Sequence, residues 1–128
     1  MAEKLPRPTD AELEILTVLW SIGPATVREV HDVISRRRTA QYSTVLKFMQ
    51  IMAEKGLVRR NEEQRTHLYE STAPRESTQR RLVGDLLDRA FGGSAMQLVM
   101  QALSAKPATS AEIDQIRRLL DQHAEKLK

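Results

Sequence analysis

A mainly α-helical fold with one small β-hairpin is what this sequence predicts, and three observations carry the expectation. Apolar residues recur at helical spacing in three successive segments before Gly56. Thr9, Thr26 and Thr109 each stand three residues before a glutamate (Glu12, Glu29 and Glu112), the capping-box pattern of a helix start. After Gly56, two short stretches with apolar residues flank a polar, charged tip, as two strands and a turn would.

The first helix starts at Thr9 and runs to about Trp20. Leu13, Leu16 and Trp20 form one stripe, and Ile15, Val18, Leu19 and Ile22 an adjoining one. Apolar residues over more than half the circumference imply a central helix with partners on several sides. Gly23-Pro24 stops it, and Thr26 opens the second helix, with Val27, Val30, Val33 and Ile34 on one face. Arg36, Arg37 and Arg38 follow at its C-terminal end, where the helix dipole favours cations. The third helix occupies roughly Gln41 to Lys55 and ends at Gly56. Val45, Leu46, Met49, Met52 and Ala53 make its inward face; Ser43, Lys47, Gln50 and Glu54 line the opposite side. Leu57 and Leu68-Tyr69 then mark a hairpin with the tip Asn61–Thr66. Three helices followed by a hairpin is the order of a winged helix-turn-helix, assigned to residues 1–72.

From Ala73-Pro74 the character changes, and residues 73–128 are expected to form a three-helix dimerisation region. Leu82, Val83, Leu86, Leu87, Ala90 and Phe91 mark a fourth helix, broken by Gly92-Gly93. Met96, Val99, Met100 and Leu103 mark a fifth, and Lys106-Pro107 ends it. Thr109 caps a sixth that carries Ile113, Ile116, Leu120 and Leu127. Their apolar stripes are narrow, and so short a segment cannot build an adequate core alone. Docking against a second copy, through Leu82, Leu86, Leu87, Phe91, Met96, Val99, Met100, Leu103, Ile113, Ile116 and Leu120, would complete it. Packing back on the first domain is the alternative.

Composition excludes several classes. None of the 128 residues is cysteine, so disulfides, thiolate metal sites and cysteine nucleophiles are ruled out for this chain. The opening MAEKLPRPTD has no apolar run of signal-peptide length, and nothing later reaches the length of a membrane span. The expectation is a cytoplasmic protein that does not insert into membranes. His31, His67 and His123 have no partners at zinc-motif spacing, and no Gly-rich phosphate loop or nucleophile elbow occurs. Neither an enzyme nor a metal or cofactor site is expected.

The charge distribution points elsewhere. Net charge is +3. Between Arg36 and Arg65, however, eight cations (Arg36, Arg37, Arg38, Lys47, Lys55, Arg59, Arg60 and Arg65) face three acids (Glu54, Glu62 and Glu63). A local basic excess of this kind is the footprint of a nucleic-acid face. The N-terminal half of the third helix offers Gln41, Tyr42, Ser43, Thr44 and Lys47 to base edges of double-stranded DNA. Gln suits adenine, Lys guanine, and Thr a thymine methyl. Tyr42 is equally suited to packing at the helix start. Arg36, Arg37 and Arg38 before the helix, and Arg59, Arg60 and Arg65 in the hairpin, are candidates for phosphate contacts. Adjacent strand residues point to opposite faces, so one of Arg59 and Arg60 can simply face solvent. Winged helices also serve as protein-interaction modules, so a module without DNA binding is the competing reading, as is a regulator released by a small ligand.

Pro8-Thr9-Asp10-Ala11-Glu12-Leu13-Glu14-Ile15-Leu16, ending at Leu19-Trp20, resembles the opening of the BlaI/MecI penicillinase-repressor family. So do Thr44-Val45, Glu54-Lys55-Gly56-Leu57-Val58, and Arg65 with Tyr69. The resemblance covers the N-terminal domain in identities and the tail in length and layout. It implies a homodimeric repressor on an inverted-repeat operator, with Ser43, Thr44 and Lys47 touching DNA and Arg65 in the wing. It also implies inactivation by cleavage in the fifth helix, when a membrane sensor-peptidase detects a β-lactam. The family's cut bond is Asn–Phe; Gln101-Ala102 stands at its place here. The copper-responsive branch of the family uses a cysteine-rich site, which this chain lacks.

Overall fold

The computed structural model describes residues 6–63 and 65–128, and the chain divides into two compact units, Met1–Gln79 and Arg80–Lys128. In the first unit α1 (Asp10–Ile22), α2 (Val27–Ser35) and α3 (Tyr42–Lys55) precede β1 (Val58–Asn61) and β2 (Leu68–Ser71). This is a winged helix-turn-helix. Both predicted capping boxes form here: Thr9 and Glu12, and Thr26 and Glu29, exchange side-chain and backbone hydrogen bonds of 3.0–3.3 Å. Each satisfies two backbone N–H groups that a helix start otherwise leaves without partners.

The core is closed within this unit. Ile15, Leu16, Val18 and Leu19 of α1 meet Val27, Val30 and Ile34 of α2 and Val45, Met49 and Met52 of α3, all buried. Leu46, Ala53 and Phe48 pack at its margin. Ile22 is 44 % exposed, unlike the rest of its predicted stripe, because it is the last residue before the chain turns away at Gly23. Gly56 ends α3 with φ 83°, a left-handed conformation that costs glycine little, and its N–H closes onto the Ala53 carbonyl.

Leu57 is buried between α3 and the hairpin, and β1 begins one residue later. The strands are antiparallel, pairing Val58 with Ser71, Arg59 with Glu70, Arg60 with Tyr69 and Asn61 with Leu68. A further bridge, not expected from the sequence, joins Tyr69 to Ala25 through two backbone hydrogen bonds of 2.8 and 3.0 Å. This single-residue bridge ties the α1–α2 connection to the wing. At the wing's base, Thr72 Oγ1 donates to the Gly56 carbonyl at 2.7 Å.

α4 (Arg75–Ala90) begins in the first unit and continues into the second, which also holds α5 (Ala95–Ala105) and α6 (Ser110–Lys126). Gly93 adopts φ 82° and its N–H returns to the Leu87 carbonyl at 2.9 Å, closing α4. Ser94 then caps α5, and the predicted Thr109–Glu112 box caps α6. No residue of Arg80–Lys128 is buried. Leu82, Leu87, Phe91, Ile113 and Ile116 are half-buried, whereas Leu86, Met96, Val99, Met100, Leu103 and Leu120 are exposed. Among the described residues, no helix is long and apolar enough to cross a membrane.

Candidate nucleic-acid interface

The α2–α3 turn and the first turns of α3 carry the residues singled out for base contact. Gln41 is the N-cap of α3; its carbonyl accepts from Thr44 and Val45, while its side chain makes no capping bond. Ser43, Thr44, Lys47 and Gln50 are exposed along one side of α3, with Phe48 and Ile51 half-buried beside them. Three buried side chains, Val45, Met49 and Met52, hold the opposite side of the helix against the core. The polar face is therefore presented on a rigid support.

Tyr42 is 40 % exposed and packed at the helix start. Its ring and that of His31 meet in a T-shaped contact, 5.8 Å between centroids and 77° between planes. The Arg28 guanidinium carbon lies 5.4 Å from the ring centroid. His31 Nε2 is 2.8 Å from the Ala40 carbonyl, so it donates to it and ties α2 to the start of α3.

The arginines divide by partner. Arg36, Arg37 and Arg65 are exposed, and no carboxylate pairs with them within the described residues. Arg38 binds Glu14 of α1 through two nitrogens, its Nε at 3.2 Å. That hydrogen bond, together with the nearby charge of Arg37 and against partial burial, holds the Glu14 carboxyl below its ordinary range. Arg59 pairs with Glu70 across the strands at 3.2 Å. Arg60 lies on the other face of the hairpin, opposite Tyr69 in the strand register, and pairs with Glu62. The alternation of strand faces thus separates the two: Arg60, not Arg59, looks toward α3 and Gln50. Lys55 is counted in the basic segment, but its charge is met by buried Glu12 at 2.8 Å. Burial alone would raise the Glu12 carboxyl; the hydrogen bonds and charge of Lys55 and the Thr9 cap bring it below its ordinary range.

Between α3 and the wing runs a groove lined by Arg28, Tyr42, Gln50, Arg65, Thr66 and His67, among others. Arg28, Thr66 and His67 were not singled out from the sequence. The signal for Arg28 was present: it lies in the first turn of the helix preceding α3, the end that faces α3's start in a helix-turn-helix.

The family model described as penicillinase repressor matches residues 8–122. The chain belongs to the penicillinase repressor family. A relative of that family, the transcriptional regulator BlaI of Mycobacterium tuberculosis, is 33 % identical over 118 residues, 91 % of this chain and 85 % of the relative. The penicillinase repressor of Bacillus licheniformis is 23 % identical over 126 residues, 98 % of each. Among solved structures, the DNA-binding domain of the repressor BlaI aligns with a TM-score of 0.51 and 26 % identity, covering 58 % of this chain and 90 % of that one. The monomeric form of Bacillus licheniformis BlaI in complex with the blaP half-operator also aligns at 0.51, with 25 % identity, over 59 % of this chain and 92 % of that one. This penicillinase-repressor chain is a BlaI-like transcriptional repressor with a winged-helix DNA-binding fold, not an enzyme.

Proposed function

We propose that this protein acts as a cytoplasmic homodimer on an inverted-repeat DNA operator, one α3 in each half-site. The observation that carries this reading is a contrast between the two units. Met1–Gln79 closes its own core and leaves the polar side of α3 exposed, whereas Arg80–Lys128 has half-buried side chains but no fully buried one. A helical unit without a core of its own needs another apolar surface, and a second copy supplies an identical one. Gln41, Ser43, Thr44 and Lys47 read bases, with Tyr42 beside them. Arg36, Arg37 and Arg65 meet phosphates directly. Arg38, Arg59 and Arg60 do so by exchanging their carboxylate partners, which exposed, solvent-screened pairs of this kind give up readily. The Bacillus licheniformis relative solved on a half-operator supports the same docking for this chain.

If this chain shares the family's release by a membrane sensor-peptidase, the cut falls in the region of Gln101-Ala102, where the family's Asn–Phe bond is absent. Both residues are exposed, yet they lie inside α5, and the Ala102 carbonyl accepts from Lys106 at 3.1 Å. The step therefore includes local opening of that helix.

The test is selection of bound duplexes from random sequence, followed by titration over a range of salt. The expected outcome is an inverted repeat bound by two chains, with affinity falling steeply as salt rises. No enriched sequence, or affinity that stays flat with salt, would leave the protein-interaction reading instead.

A further inference from the structure

We infer that Arg28 is a further DNA-backbone contact, poised for one phosphate by the ring of Tyr42. The inference rests on the DNA-binding reading above and names an additional residue of the same site. Arg28 is exposed in the first turn of α2, and its guanidinium lies over the Tyr42 ring at 5.4 Å. A guanidinium placed over an aromatic face is held by the ring's electrostatics and can still use its N–H edges. No carboxylate among the described residues takes those donors. The ring also meets His31 in a T-shaped contact, and His31 is anchored on the Ala40 carbonyl. Arg28 is thus a cation with free donors on a supported platform.

Its surroundings specify the ligand. Arg28 and Tyr42 form one wall of the groove between α3 and the wing, and Arg65 and His67 stand on the wing side. Among the described residues, no carboxylate lines that groove. An oxyanion entering it meets cations from both sides, and a guanidinium binds phosphate through two parallel hydrogen bonds. A free phosphate would satisfy the same chemistry. The groove, however, is walled by Tyr42 and Gln50 of α3, the helix whose exposed side reads bases, and by the wing, where a duplex backbone would pass. The ligand is therefore a phosphate of the bound DNA.

The experiment uses the full chain and a duplex selected by it from random sequence. Arg28→Ala should weaken binding about tenfold per half-site. The loss should be similar for different sequences, and the slope of log affinity against log salt should flatten by about 0.9 per protomer. Thermal stability should stay unchanged, as Arg28 is exposed. Arg28→Ala should cost less in a Tyr42→Ala background than alone, since the two side chains act as one unit. A neutral methylphosphonate at one backbone position should weaken the wild type and leave Arg28→Ala unaffected. An unchanged salt slope in Arg28→Ala, with Lys47→Ala still impaired, would overturn the inference and leave the DNA reading intact. Inorganic phosphate that competes with DNA for the wild type at matched ionic strength, with no phosphonate position responding, would assign the seat to a free anion and overturn it too. Failure of the wild type to select any duplex would remove the underlying reading.

Discussion

Lys55 Nζ lies 2.8 and 3.1 Å from the two carboxylate oxygens of Glu12, a residue only 1 % exposed that also completes the cap of α1. One carboxylate thus joins the start of the first helix to the end of the third. Removing a single partner of a buried pair strands the other charge, whereas removing both does not. Glu12 is buried but the Lys55 side chain is 35 % exposed, so Lys55→Met should destabilise the fold by about 1–2 kcal/mol, and the double variant Glu12→Gln, Lys55→Met by less. Urea denaturation of the three proteins would read this. Equal losses in single and double variants would show that the pair is not what holds the two helices.

The same pair sets a pH dependence. Glu12 and Glu14 both have carboxyl groups held below their ordinary value of 4.5, by Lys55 and Thr9 and by Arg38 respectively. A carboxyl depressed in the folded state contributes stability that is fully present above its unfolded value and is lost as pH falls through the folded one. Stability should therefore hold at neutral pH and decline below about 4.5, and Glu12→Gln should flatten that decline. Unfolding curves between neutral pH and pH 3 would check both statements.

On the exposed side of α3, Thr44→Ala and Lys47→Ala should each weaken binding to the selected duplex by about 1–3 kcal/mol per base pair read. Both residues are exposed, so melting temperature should not change. Fluorescence anisotropy with wild-type affinity in both variants would remove α3 as the reading helix.

The tail should govern assembly. Val99→Asp and Leu120→Asp place charges on exposed apolar positions of α5 and α6. If these faces pair between copies, light scattering should show a shift from dimer to monomer while the N-terminal unit keeps its helical signal. Truncation after Gln79 should have the same effect, since the buried residues all lie before that point. A dimer surviving truncation would move the interface to the first unit.

Much of this protein was legible in its sequence because the deciding signals are local. Capping boxes at Thr9, Thr26 and Thr109 operate within three residues. The apolar faces of α1, α2 and α3 repeat within a turn or two, and Gly56 ends its helix through bonds to the preceding turn. Their order alone specifies a winged helix. Contacts between distant segments were decided only by the tertiary structure. Glu12 and Lys55 are 43 residues apart, and Glu14 and Arg38 are 24 apart. Nothing periodic in the chain announces either pair. The same holds for the bridge between Ala25 and Tyr69, and for Arg28 over Tyr42. The sequence determined that residues 36–65 are rich in cations. Folding decided that Lys55, Arg38, Arg59 and Arg60 meet carboxylates, and that Arg36, Arg37 and Arg65 are left facing solvent. The physical reason is that a charge is counted from composition, but its availability depends on which oppositely charged group the fold brings within a few ångströms.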